Sequence, residues 1–335
     1  MEVIQVPGRP ASQRFYVVAG RLLFVESSDL RLGNLIERLF AGWQLTPVSL
    51  TEQSPDIRIS FFSGDKPPKI PQNLNQFEIA EGGKCYTDGA DYYLAIGSAL
   101  LQLQNGSPIS VGVWLTENPS PDDPLPARVA SFAVCAALRR LGLFELHSAG
   151  VVHLQTEKGV LIVGPSGSGK STLALQLAIA GWPYLSDDEL LLGIVDDRVE
   201  ARGFRTFFAI NSETATAAGI DKIRGIDTPK NLKTCFEPEV VLGSSQRVSA
   251  VPGALFFISL SGGDDTEVSK LTQAGTMMRL IRACPWATYD TAVASANLNV
   301  LSKLARQTNA FELRAGRDLL EPDFASDLVS RYVGT

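Results

Sequence analysis

The sequence is poor in residues that bind transition metals. It has two histidines, His147 and His153, and four cysteines, Cys85, Cys135, Cys235 and Cys284. No two cysteines stand at C-x-x-C or other zinc-ligand spacing, which argues against a zinc centre and a disulfide framework. So few scattered thiols suit a reducing compartment. No apolar run comes near the ~20 residues that a membrane-crossing helix needs. The opening Met1-Glu2-Val3-Ile4-Gln5 lacks the basic and apolar regions of a secretion signal. A cytoplasmic protein with no membrane partner is the expectation. Positive charge is also short: 30 lysines and arginines against 36 aspartates and glutamates leave a net charge of −6. That balance gives no electrostatic footprint for nucleic acid and disfavours anionic lipid surfaces. Any phosphate bound here has to be held by local structure.

What is present describes an ordinary folded chain, 45% hydrophobic and 20% charged. Its 335 residues are long for one core, so two domains are expected. The stretch from Asn118 to Pro126, with four prolines and two aspartates, reads as the link. Residues 1–120 read as a β-rich α+β domain. Phe15 to Val25 form a hairpin turning at Ala19-Gly20. Ser27, Ser28 or Asp29 caps a helix carrying Leu32, Leu35, Ile36 and Leu39. Further strands are expected at 57–62, 77–80, 84–87, 92–96 and 109–115, and residues 1–13 read as a loose arm. No catalytic constellation is visible in this part. Residues 127–335 form the second domain, opening with a helix from Ala127 to Leu141 that Gly142 ends.

The second domain carries Gly164-Pro165-Ser166-Gly167-Ser168-Gly169-Lys170-Ser171-Thr172, which fits the Walker A spacing G-x-x-x-x-G-K-[ST] at every fixed position. An apolar strand, Gly159 to Val163, precedes it, and Leu173, Leu177 and Ala180 follow at helical spacing. Strand, loop and helix are the context the motif needs. Glycines let successive amides turn inward around a phosphate, and the helix starting near Lys170 adds its positive dipole end. Lys170 would then reach the β- and γ-phosphates and the Ser171 hydroxyl would ligate Mg²⁺.

Roughly eighteen residues further on, a short apolar strand ends in Asp187-Asp188. One carboxylate can sit on Mg²⁺ while the other takes the proton of an attacking hydroxyl. An ordinary Asp-Asp turn is the plainer alternative. His147 either lies beside the γ-phosphate and tunes its charge or packs structurally, and His153 in its apolar strand reads as structural. Glu200 is a direct or indirect Mg²⁺ ligand, and Arg202 and Arg205 neutralise transferred charge, unless each belongs to a solvated turn.

The order and spacing of His147-Ser148-Ala149-Gly150-Val151, the Gly159 to Ser171 run, Ala174-Leu175, Gly181 and Asp187-Asp188 resemble the catalytic domain of HPr kinase/phosphorylase. They resemble its wider set of HPr-kinase-related proteins still more. Val199-Glu200-Ala201-Arg202-Gly203 is similar to the family's Glu-Ile-Arg-Gly signature, and Phe311-Glu312-Leu313-Arg314 to the end of the related kinases. The resemblance implies an α/β fold, a P-loop domain akin to phosphoenolpyruvate carboxykinase, preceded here by the β-rich domain. It implies ATP and Mg²⁺, with transfer of the γ-phosphoryl group to a serine of a protein or peptide, or to a small-molecule hydroxyl. It hints at a homo-oligomer. Carried over, Gly164, Ser166, Gly167, Ser168, Gly169, Lys170, Ser171 and Thr172 cradle the nucleotide. Ser171, Asp188 and Glu200 hold the metal. Asp187 is the base, acting with Lys170 and His147, and the roles of Asp187 and Asp188 are exchangeable.

Three departures stand out. Thr172 replaces an acidic residue of HPr kinase, Trp182 replaces a histidine, and Asp188 and Glu200 are closer in sequence. The front 120 residues are unlike the HPr kinase N-terminal domain, so HPr itself is not the expected acceptor. A nucleotide hydrolase or switch, with Asp187 orienting water, is the alternative activity.

Overall fold

Ala19 and Gly20 both take positive φ, 49° and 77°. That twist closes the hairpin between β1 (Ser12–Val18) and β2 (Arg21–Ser27). Helix α1 (Leu30–Phe40) starts at Asp29, whose carboxylate accepts from the Leu32 amide at 2.9 Å. It buries Leu32, Ile36 and Phe40. Then come β3 (Thr46–Val48), β4 (Ile57–Ser63), β5 (Asn75–Ile79), β6 (Gly83–Thr87), β7 (Tyr92–Ile96), β8 (Ala99–Gln104) and β9 (Ile109–Leu115). These strands make a nine-stranded sheet in the order β3-β1-β2-β4-β9-β8-β7-β6-β5. Its centre, β2-β4-β9, is parallel, and β5 to β9 form an antiparallel meander. Helix α2 (Pro124–Arg140) lies against β8 and β9.

This computed structural model describes residues 4–6, 9–49, 53–79, 82–115, 123–217 and 234–333. The chain divides into two compact units, Met1–Leu143 with Thr288–Ala294, and Phe144–Ala287 with Ser295–Thr335. Two expectations change. Helix α2, expected in the second domain, clusters with the first unit because its apolar face covers that unit's sheet. The expected link from Asn118 lies mostly outside the described residues. Part of the arm is also pinned. The Val6 amide donates to buried Glu26 at 3.0 Å, alongside Ser60 Oγ at 2.7 Å and Arg58 Nη1 at 3.1 Å. A carboxylate buried in a sheet needs donors, and the arm supplies one.

The segment Thr288–Ala294 joins the first unit through Asp290, which is itself buried. Its Oδ2 accepts from Arg139 Nε at 3.3 Å and Arg140 Nη1 at 2.6 Å. Arg139 Nη2 also donates to Tyr92 OH at 2.8 Å, and Tyr289 stacks on Phe77 at 5.1 Å.

The second unit has two main sheets. Its strands are β10 (Phe144–Leu146), β11 (Ser148–Val152), β12 (Gly159–Val163), β13 (Tyr184–Ser186), β14 (Leu190–Val195), β15 (Arg198–Gly203), β16 (Phe208–Ile210), β17 (Thr234–Phe236), β18 (Ser249–Ala250), β19 (Pro252–Leu260), β20 (Glu267–Lys270) and β21 (Asn309–Ala315). A six-stranded sheet runs β13-β11-β12-β19-β21-β20, and a four-stranded sheet runs β10-β14-β15-β18. Strands β12, β19 and β21 are parallel. Helix α3 (Lys170–Ile179) follows β12 and buries Leu173, Leu177 and Ala178 over the larger sheet. Behind it Trp182, fully buried, donates from Nε1 to Ser326 Oγ at 2.9 Å on the helix Pro322–Val333. The His153 ring meets Trp182 edge-on at 4.8 Å and bonds Thr156 and Ser330, so it is a packing residue, as expected. Among the described residues no helix is long and apolar enough to cross a membrane. The unit is mixed α/β, with large sheets and a strand-loop-helix at its centre.

Asp290→Ala would leave two buried guanidinium groups without their shared carboxylate. The expected cost is about 3–5 kcal/mol, read as a lower urea midpoint for the transition that reports the first unit. An unchanged midpoint would mean that the pairs contribute nothing.

Candidate active site

The loop after β12 is a cradle shaped by its glycines. A Cβ on Gly164 would come 2.5 Å from Ser168 Oγ and 2.7 Å from Ile258 O. Gly167 and Gly169 take φ of 78° and 99°, a region open to glycine. Gly169 caps α3 with no side-chain bond, which leaves the first helical amides available. Ser168 Oγ is buried and has no hydrogen-bond partner. Spare amides, a helix N-terminus and an orphan hydroxyl form a donor set that fits phosphate oxygens. Ser166 stands exposed in the same loop.

Lys170 is 5% exposed, and its Nζ donates to the carbonyls of Gly164 at 2.8 Å and Pro165 at 3.1 Å. It also meets His147 Nε2 at 3.0 Å. An ammonium only donates, so Nε2 accepts and the ring proton sits on Nδ1. His147 Nδ1 lies 3.3 Å from Asp188 Oδ1, and Asp188 Oδ2 lies 3.1 Å from Arg205 Nη1. Lys170, His147, Asp188 and Arg205 thus form a continuous polar row.

Strand pairing brings His147 to Asp188. Leu146 pairs with Leu190 in the smaller sheet, and Gly150 pairs with Ser186 in the larger one. The two pairings share one antiparallel register, so the chain crosses from sheet to sheet twice at the same place. The Ser148 amide donates to the Asp188 carbonyl at 3.0 Å across that crossing.

Asp187 and Asp188 diverge, as adjacent residues at a strand end do. Asp187 is 1% exposed. Its Oδ2 accepts from the Ala209 amide at 2.7 Å, and its Oδ1 lies 3.5 Å from Tyr184 OH. Its backbone carbonyl accepts from Ser171 Oγ at 3.3 Å, so it stays beside the loop. Asp188 is 24% exposed. Thr172, expected at the nucleotide, turns its hydroxyl to Thr214 at 3.4 Å on helix α4 (Ser212–Ala217). Glu200 departs from expectation. It pairs with Arg202 at 2.5 Å, two residues along β15, and that strand carries both away from the aspartates. In the register, Leu190, beside the acidic turn, faces Gly203 rather than Glu200. Three strand steps of about 3.4 Å put Glu200 some ~10 Å further on. Among the described residues no three of histidine, cysteine, aspartate and glutamate converge as a metal cluster. A P-loop metal needs fewer protein ligands, because substrate phosphates and water complete it.

Partial burial, with the Lys170 and Arg205 charges, holds the His147 imidazole below its ordinary value, against the pull of Asp188. Burial would lower the Arg205 guanidinium, but Asp188, Glu189 and Asp187 outweigh it and raise the group. Burial first, then the Asp187 charge, pushes the Tyr184 phenol well up, so it stays a neutral donor. Tyr184 and the Ala209 amide were not legible as site residues, since one sits in an apolar strand and the other acts through its backbone.

No protein-family model and no curated protein matches the chain. Among solved structures it is similar to the Hpr(Ser) kinase/phosphatase from Coxiella burnetii. The alignment covers 56% of this chain and 88% of that one, at 13% identity and a TM-score of 0.33. At that level neither fold nor chemistry transfers from that enzyme.

His147 should titrate below 6.5 in ¹⁵N imidazole spectra, lower still in Asp188→Asn, and higher in Lys170→Met. A group held low takes up protons more readily in the unfolded chain. Its stabilising contribution is therefore whole above about 6.5 and declines as pH falls toward the folded value. A His147 titration above 6.5 would mean that Asp188 outweighs burial and the Lys170 and Arg205 charges.

Proposed function

We propose that the chain is an ATP- and Mg²⁺-dependent kinase of the HPr-kinase-like P-loop type. It transfers the γ-phosphoryl group to a hydroxyl, of a serine in a protein or peptide or of a small molecule. The observation that carries this reading is the joining of the glycine cradle, through Lys170 and His147, to the aspartate pair. A phosphate-binding loop alone would serve any nucleotide protein. A carboxylate wired to its lysine by one imidazole suits proton removal beside a phosphate.

In this reading the cradle amides and Ser168 Oγ bind the phosphates, and Lys170 leaves the loop carbonyls to meet them. Ser171 Oγ and a carboxylate of the pair would hold Mg²⁺, which supplies charge neutralisation on the phosphate oxygens. The contrast in exposure favours exchanging the expected aspartate roles. Asp188 can meet an acceptor, whereas Asp187 is enclosed beside Ser171. The acceptor O–H gives its proton to Asp188, its oxygen bonds to the γ-phosphorus, and ADP leaves with the bridging oxygen. Positioning and charge stabilisation supply most of the rate. A cytoplasmic location and a homo-oligomer belong to the same proposal.

Incubation with γ-labelled Mg-ATP and hydroxyl-bearing peptides tests it. Lys170→Ala should abolish labelled product. Asp188→Asn should keep Mg-ATP binding and lose about 10²–10⁴-fold in transfer. Phosphate released with no labelled acceptor would favour a hydrolase or switch instead, and absence of Mg-ATP binding at millimolar nucleotide would end the kinase reading.

A further inference from the structure

Arg202 and Arg205 both follow the acidic pair, and the fold treats them differently. Arg202 points along β15 into its pair with Glu200 at 2.5 Å. Arg205 returns to the aspartates, and its Nη1 lies 3.1 Å from Asp188 Oδ2. The return is enforced by backbone. A Cβ on Gly203 would come 2.2 Å from the Leu185 carbonyl, so at that residue the chain runs hard against β13. The Phe204 amide then donates to the Glu189 carbonyl at 3.2 Å. Beyond it, Arg205, Phe207 and Ala209 each reach a residue of β13 or the acidic turn. Arg205 holds Asp188, the Phe207 carbonyl accepts from Tyr184 OH at 2.8 Å, and the Ala209 amide holds Asp187 at 2.7 Å.

We infer that Arg205 is the positioning residue for Asp188, fixing that carboxylate from the side opposite His147, and that Arg202 has no such role. The assignment of Asp188 as the base rests on the kinase reading above, whereas the positioning itself does not. Asp188 has one oxygen on His147 and the other on Arg205, so its plane is set by two donors at opposite edges. A carboxylate held at one edge can turn about its Cβ–Cγ bond and carry the reactive oxygen off line. A charged donor on the second oxygen limits that turn.

The test has two readouts. The His147 Nδ1 proton bonds Asp188, and its resonance can be assigned easily in a chain with two histidines. In Arg205→Gln this proton should move upfield or broaden into exchange, and Arg205→Lys should partly restore it. Arg202→Gln should leave it in place. Turnover of Mg-ATP, with water or a peptide as acceptor, should fall about 10–100-fold in kcat for Arg205→Gln, with little change in KM for ATP. An unaltered His147 proton in Arg205→Gln would overturn the inference, as would equal effects from Arg202→Gln. If the wild-type chain turned over no ATP, the kinase reading would fall and the imidazole signal would still decide the role of Arg205.

Discussion

Because the Lys170 ammonium can only give protons, it dictates the polarity of everything beside it. His147 must accept at Nε2, so its single proton faces Asp188 and that carboxylate accepts again from Arg205. Charge therefore alternates along the row, positive at the lysine, neutral at the imidazole, negative at the aspartate and positive at the arginine. A protonated imidazole would put two donors face to face at the lysine, which agrees with the direction in which His147 is held.

Two sheets that exchange strands keep the row in register. Strands β10 and β11 belong to different sheets, and so do β13 and β14, yet the pairings on either side of the crossing, Leu146 with Leu190 and Gly150 with Ser186, continue one antiparallel register, which shifts beyond Gly150. His147 and the aspartates occupy the crossings, between the strands of the two sheets. That is a stiffer mounting than a loop offers, because strand bonds flank it at both ends.

The cradle was legible in the sequence because it fits a fixed spacing of Gly164, Gly169, Lys170 and Ser171, and a Cβ at Gly164 would strike Ser168 Oγ and the Ile258 carbonyl. The hairpin at Ala19-Gly20 was legible for a similar local reason, and Asp29 was one of three candidate caps. The direction of each aspartate was not, since adjacent residues look alike until a partner strand claims one of them. The Ala209 amide did so, from a short strand, β16, that carries no period of its own. Strand β8 and the helix Pro322–Val333 were missed because neighbouring segments supply the burial that defines them. The domain boundary was misplaced for a related reason. Prolines mark where a chain bends, whereas α2 was assigned by what it covers.

Asp290 completes the first unit from far along the chain, about 150 positions after the arginines it neutralises. During synthesis the nine strands and both helices emerge well before it. At about 5–20 residues per second, Arg139 and Arg140 wait roughly 8–30 s for their carboxylate. The carboxylate shared by Arg139 and Arg140 is therefore made only when most of the second half has been synthesised.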